Sequence, residues 1–79
     1  MPAVPLDVDH DAQLQRICAQ IGRLREQRGW NLAELSRKAG VSRHQLAKIE
    51  EGSVNPSLGV LLRIATAFTL PLSDLVADR

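Results

Sequence analysis

The chain of 79 residues contains few of the residues on which several classes of protein depend. It has no tyrosine, one tryptophan and one phenylalanine, so it lacks the aromatic surfaces that usually stack against single-stranded nucleic acids. Its single cysteine, Cys18, excludes an internal disulfide and is typical of a reducing compartment. No run of 18 apolar residues occurs, which excludes a membrane-spanning helix, and residues 1–10 lack the basic start and apolar stretch of a signal peptide.

The same scarcity argues against an enzyme or a metalloprotein. The chain has two histidines and no glycine-rich phosphate loop, and a domain of this size is too small for a deep pocket. Cys18, His10 and His44 do not have the spacing of a zinc finger. We therefore expect no catalytic residue, no metal site and no cofactor.

The charge is nearly balanced in total but uneven along the chain. The formal net charge is +1. Residues 16–48 contain eight lysines and arginines against two glutamates, whereas residues 1–15 contain three aspartates and no basic residue. A basic middle flanked by acidic ends predicts that residues 16–48 face a polyanion.

Apolar residues recur at spacings of three and four along most of the chain, which is typical of helices. The pattern begins at Asp11, so we predict a flexible arm over residues 1–10 and a single all-α domain over residues 11–79. Asn31 with Glu34, and Ser42 with Gln45, are capping patterns that predict the second and third of five helices. The fourth helix starts at the cap Ser57, and its predicted inward residues are Leu58, Leu61, Leu62, Ala65 and Phe68.

The junction between the second and third helices is the most informative feature. Two short helices are joined by a turn of three or four residues that contains Gly40, which is typical of the helix-turn-helix. Ser36, four residues earlier, is small enough for the helices to approach closely. Trp30 precedes the Asn31 cap, and we expect it to pack as a hydrophobic staple on Leu35 or on the turn of Glu34.

These residues resemble the phage-repressor-like (XRE/Cro) helix-turn-helix family. The similarity runs from about Ile17 to Val76. It implies a compact, five-helix, lambda-repressor-like DNA-binding domain that acts as a dimer in transcription regulation. The matching motifs are residues 30–42 (WNLAELSRKAGVS), Leu46, Ile49-Glu50-x-Gly52, residues 55–58 (NPSL), Ile64-Ala65-x-Ala67 and residues 71–75 (PLSDL).

The third helix, about residues 42–51, matches the family's recognition helix, whose N-terminal residues reach bases in the major groove. The resemblance implies base contacts by Arg43, His44 and Lys48, although His44 is equally interpretable as a surface histidine and all three as a solvated face. Family members often have glutamine where this chain has Leu32, and residues 53–55 contain no lysine or arginine. The expected phosphate contacts are Asn31, Arg23, Arg37, Ser42, Gln45, Ser53 and Asn55.

Two further pairings complete the expectation. Arg25 and Glu50 match a family ion pair between the first and third helices. An apolar cluster near the C-terminus would ordinarily belong to the core. Because a core this small is only marginally stable, we expect a share of the cluster to form a dimer interface instead. The cluster consists of Leu70, Leu72, Leu75 and Val76.

The function expected from these features is a cytoplasmic, nucleoid-associated bacterial or phage regulator, more often a repressor. Two copies would bind a pseudo-palindrome in double-stranded DNA. Two alternatives remain open at this point: an antitoxin or protein-interaction module with a protein partner, and the DNA-binding head of a larger regulator with a cupin-type sensory domain.

Overall fold

The computed structural model describes residues 6–76, with side chains from residue 12 onward. That part of the chain is all-helical, as predicted. Helices α2 and α3 pack on each other, α2 also packs on α4, and α1 packs on α3 and α5. The five helices are α1 (Leu6–Gln27), α2 (Leu32–Ala39), α3 (Arg43–Glu51), α4 (Leu58–Ala67) and α5 (Leu72–Val76).

Helix α1 begins earlier than the apolar pattern predicts. It starts at Leu6 rather than Asp11, so residues 6–10 are helical and differ from the predicted arm. Apolar periodicity marks only the part of a helix that packs on the core. Residues 1–5 and 77–79 lie outside the described residues.

The predicted helix starts are confirmed at α2, α3 and α4. Asn31 and Glu34 form a full capping box: Glu34 N donates to Asn31 Oδ1 at 2.8 Å, and Asn31 N donates to Glu34 Oε1 at 3.0 Å. Ser42 accepts from Gln45 N at 3.1 Å, so it is a simple cap without the reciprocal side-chain bond of a box. Ser57 accepts from Val60 N at 3.1 Å.

The core is drawn from all five helices, and α4 is rotated from its predicted orientation. Ile64 is fully buried, whereas Leu58 is 62% exposed and Leu62 is 47% exposed, so these two leucines do not belong to the inward face. Because α4 has apolar residues on several sides, the spacing of these residues does not indicate which face is buried. The buried residues are Cys18, Ile21, Leu35, Ala39, Val41, Leu46, Ile49, Leu61, Ile64, Ala65, Phe68 and Leu75.

The expected ion pair between α1 and α3 is present. Arg25 Nε donates to Glu50 Oε2 at 2.8 Å, and Arg25 Nη2 donates to Glu50 Oε1 at 3.0 Å. Arg25 Nη1 donates to the Trp30 carbonyl at 2.8 Å. The hydrogen bond to Glu50 is the main cause that raises the pKa of Arg25 above its ordinary value. This guanidinium therefore joins α1, α3 and the residue before the α2 cap.

Trp30 makes a contact that the expected staple does not include. Its ring stacks on Phe68 with a centroid distance of 5.3 Å and an interplanar angle of 8°. The Arg28 guanidinium lies 5.4 Å from the Trp30 centroid, and Lys38 Nζ lies 4.9 Å from it. Arg28 Nη2 also donates to the Phe68 carbonyl at 2.7 Å. Both aromatic residues of the chain thus stack on each other in one cluster under two cations, a contact between distant segments that local sequence does not reveal.

We expect Glu50→Gln to destabilise the fold, because it leaves the half-buried Arg25 without its carboxylate partner. The expected loss is about 2 kcal/mol, or roughly 8–16 °C in Tm for a domain of this size. Thermal unfolding followed by circular dichroism measures it. Glu51→Gln is the matched control, since Glu51 is exposed and should leave Tm nearly unchanged. An unchanged Tm in Glu50→Gln would contradict a structural role for the pair.

We expect the Cys18 thiol to be unreactive in the native protein. The side chain is 1% exposed, and burial raises its pKa above the ordinary 9.0, so reactive thiolate is scarce. The unfolded chain ionises this thiol at lower pH than the folded chain, and stability should therefore fall as pH rises above 9.0. Ellman's reagent should titrate one thiol in guanidinium chloride and none rapidly in native buffer. Rapid native labelling would show that the α1 packing opens.

Candidate nucleic-acid interface

The turn between α2 and α3 has the geometry of a helix-turn-helix. Gly40 has φ 69° and ψ 32°, a left-handed backbone conformation that is strained for residues with a side chain. Its N–H donates to the Ser36 carbonyl at 2.8 Å, and the Val41 N–H donates to the same carbonyl at 3.3 Å. Arg63 on α4 donates to the Gly40 carbonyl at 3.4 Å. The turn is therefore closed on α2 and contacted from α4, which sets where α3 begins.

Helix α3 presents a polar face to solvent. Leu46 and Ile49 are fully buried against the core. Arg43, His44 and Lys48, the three residues expected to contact bases, are all exposed. Gln45 is exposed as well.

A second contact fixes the far end of α3. Gln15 Nε2 on α1 donates to the Gly52 carbonyl at 3.3 Å. Gly52 has φ 79°, a left-handed conformation that favours glycine, and a Cβ atom there would lie 2.6 Å from Gln15 Oε1 and displace the Gln15 side chain. Sequence reasoning missed Gln15 because it lies 37 residues from Gly52 and shares no period with it. Helix α1 thus holds α3 through both Gln15 and Arg25.

The N-terminal ends of α2 and α3 meet at an open depression on the surface. It is lined by Asn31, Leu32, Ala33, Arg43 and His44. The first backbone N–H groups of a helix have no partner within the helix, and the helix dipole makes that end positive. Two such ends and the Arg43 guanidinium therefore give this depression a chemistry suited to a phosphate or another anionic group. It brings Asn31 together with two of the expected base-contacting residues.

The residues expected to contact phosphates differ in which of their hydrogen-bond donors are free. The capping box occupies the N–H and the Oδ1 atom of Asn31, which leaves its side-chain NH₂. Ser53 donates its N–H to the Lys48 carbonyl at 3.0 Å. Its hydroxyl donates to the same carbonyl at 3.1 Å, with Glu51 Oε1 as a second, more distant acceptor at 3.4 Å. Ser53 therefore has no free donor for a phosphate. Ser42, Gln45 and Asn55 are exposed, and none of Arg23, Arg37, Ser53 or Asn55 lines the depression.

Several of the basic residues are engaged within the protein. Arg25 pairs with Glu50, and Arg28 and Lys38 lie over the aromatic stack. Arg23 is exposed and donates to Gln20 Oε1 at 2.8 Å. In the described part of the chain, Arg37, Arg43 and Lys48 are exposed and form no ion pair. The cationic surface left for a ligand is therefore smaller than the charge count suggests.

The C-terminal cluster is divided between core and surface. Leu75 is fully buried in the chain's own core, so its side chain has no surface to offer a second copy. Leu70 and Leu72 are partly buried, and Val76 is 42% exposed. Leu58 and Leu62 are more exposed than any of these. The sequence contains one sign that Leu58 and Leu62 would be exposed: α4 has more apolar residues than a single helix face can bury.

Among the residues whose side chains are described, no group of three histidine, cysteine, aspartate or glutamate side chains could bind a metal ion. No described helix is both long and apolar enough to cross a membrane.

Comparison with known proteins decides the family. The family model described as Helix-turn-helix matches residues 21–75. The chain belongs to this helix-turn-helix family. Its members are DNA-binding transcriptional regulators, and the resemblance to phage-repressor-like domains is confirmed.

Named relatives and a solved structure agree with this family. The chain is 39% identical over 54 residues to the HTH-type transcriptional regulator SutR of Escherichia coli, covering 68% of this chain and 30% of SutR. It is 31% identical over 61 residues to the HTH-type transcriptional regulator DdrOP3 of Deinococcus deserti, covering 77% and 47%. It spans less than half the length of either relative.

A third relative is of similar length. This uncharacterized HTH-type transcriptional regulator of Archaeoglobus fulgidus is 36% identical over 56 residues, covering 71% of this chain and 80% of that protein. The fold also matches the crystal structure of the restriction-modification controller protein C.AhdI from Aeromonas hydrophila. The TM-score is 0.76 at 28% identity, covering 81% of this chain and 97% of that one.

Proposed function

We propose that the chain is a sequence-specific regulator that reads double-stranded DNA with α3 in the major groove. The observation that carries the proposal is the exposed face of α3, which begins beside the depression where two helix N-termini converge. In this docking geometry the first residues of the recognition helix reach base edges. Arg43 has the paired donors to bond guanine O6 and N7, His44 can donate or accept, and Lys48 lies one turn further on.

The phosphate contacts follow from the donors that the fold leaves free. We assign them to the Asn31 side-chain amide, Ser42, Gln45 and Asn55, and to the guanidinium groups of Arg23 and Arg37. Ser53 is left out of this set because both of its donors bond the Lys48 carbonyl. The positive ends of α2 and α3 add to the attraction at the depression.

We further propose that two copies bind a pseudo-palindromic site as a homodimer in the cytoplasm and repress transcription. Half-sites in this geometry lie about 34 Å apart, one helical turn of DNA. Support for self-association comes from the small core and from apolar side chains left on the surface. Val76 with the partly buried Leu70 and Leu72 form the proposed interface.

Selection from a random duplex pool tests the proposal as a whole. We expect enrichment of a site with two inverted half-sites, bound by two copies of the chain in analytical ultracentrifugation. Enrichment of no sequence over random duplex at moderate salt would contradict a sequence-specific regulator. A selected site bound by one copy would contradict the dimer and leave sequence-specific binding intact.

We expect Arg43→Ala to weaken binding to the selected duplex by about 1–3 kcal/mol and to relax preference at one base position. Arg37→Ala is the matched control, since it removes an exposed cation assigned to a phosphate and should weaken selected and random duplexes alike. Fluorescence anisotropy with both duplexes measures the difference. Equal losses on the two duplexes for Arg43→Ala would contradict a base contact by this residue.

A further inference from the structure

Glu51 is an acidic residue on the face of α3 that is proposed to meet DNA. It is exposed, three residues after Lys48 and seven after His44, so all three lie on one side of the helix. Seven residues of helix extend about 10 Å along the axis. Because the major groove is only about 12 Å wide, a helix that inserts its first turn brings Glu51 to the edge of the groove, beside the phosphates.

The Glu51 carboxylate has no neutralising partner in the described part of the chain. Its one hydrogen bond is with the Ser53 hydroxyl, at 3.4 Å. Neighbouring Glu50 differs in this respect, because Arg25 binds both of its oxygens. The loop over residues 52–56 contains no lysine or arginine, and the C-terminal end of a helix dipole is itself negative. The last turn of α3 therefore has one exposed cation, Lys48, and one exposed anion, Glu51, and neither forms an ion pair in the described part of the chain.

We propose, building on the function proposed above, that Glu51 is a specificity-determining residue that acts by repelling phosphates. Non-specific binding is almost entirely electrostatic, so one opposing charge weakens it in every register. On the correct site the base contacts of Arg43 hold α3 in a single register, so one rotamer of Glu51 can keep its carboxylate away from the nearest phosphate. On random DNA the register changes, and no single rotamer does so. Glu51 thus weakens binding to random DNA more than binding to the operator, and it raises the ratio of the two affinities.

Glu51→Gln tests the proposal, because it removes the charge and keeps the size and the hydrogen-bond acceptor. A unit charge about 8 Å from one or two phosphates in water corresponds to roughly a two- to six-fold change in affinity. We expect random-duplex affinity to rise by about that factor, selected-duplex affinity to rise less, and the salt dependence on random duplex to become steeper. Glu51→Lys should produce a larger change in the same direction.

Anisotropy titrations on selected and random duplexes between about 50 and 200 mM salt give all of these values. Asp74→Asn is the control, since Asp74 is an exposed acid on α5, which packs chiefly on α1 and α4. Because Asp74 lies between Leu72 and Val76 of the proposed interface, analytical ultracentrifugation first establishes that the variant keeps the oligomeric state of the unaltered protein. Asp74→Asn should leave both affinities unchanged. Random-duplex affinity unchanged in Glu51→Gln, or equal gains on both duplexes, would overturn the proposal. Loss of selected-duplex affinity with altered preference at one base pair would also overturn it, by indicating that Glu51 accepts a bond from a base amino group.

The outcomes separate this inference from the proposed function. If selection enriches no duplex, the proposed function itself fails. A second outcome is that a duplex is enriched, that Arg43→Ala binds this duplex more weakly, and that Glu51→Gln binds random DNA as the unaltered protein does. In that case the proposed function stands and the role of Glu51 is rejected.

Discussion

The Arg25–Glu50 ion pair is the interaction on which the orientation of α3 depends. A guanidinium and a carboxylate joined by two parallel bonds fix direction as well as distance, because both groups are planar. The third bond, to the Trp30 carbonyl, connects the same arginine to the segment that starts α2. A single side chain of α1 therefore positions the start of α2 and the end of α3. The small Gly22 permits this approach, since a Cβ atom there would lie 3.2 Å from Glu50 Oε1.

Pairing within the fold also determines which charges remain for a ligand. The Arg25 guanidinium is engaged by Glu50, whereas Arg28 and Lys38 lie over the stacked rings of Trp30 and Phe68 and remain exposed. The depression at the start of α2 and α3 combines the exposed Arg43 guanidinium with the positive ends of two helix dipoles.

Features set by neighbouring residues could be predicted from the sequence, and those set by distant residues could not. The caps at Asn31, Ser42 and Ser57 were predictable because a side chain bonds a backbone N–H three residues on. The inward face of α4 was not predictable, because its apolar residues surround the axis and only contacts with other helices select Ile64 over Leu62. The sequence likewise does not show whether Leu75 lies in the core or in an interface, and the tertiary structure places it in the core.

The sequence by itself determined the all-α class and the helix-turn-helix. Each depends on periodicity, capping residues and a glycine turn, all within a few residues of one another. Only the tertiary structure decided which charges pair, which leucines remain exposed and which donors are free. Ser53 illustrates the difference: its residue type suits a phosphate contact, yet the fold directs both of its donors to the Lys48 carbonyl. A donor's availability depends on the acceptors that folding brings to it, and the sequence does not contain those distances.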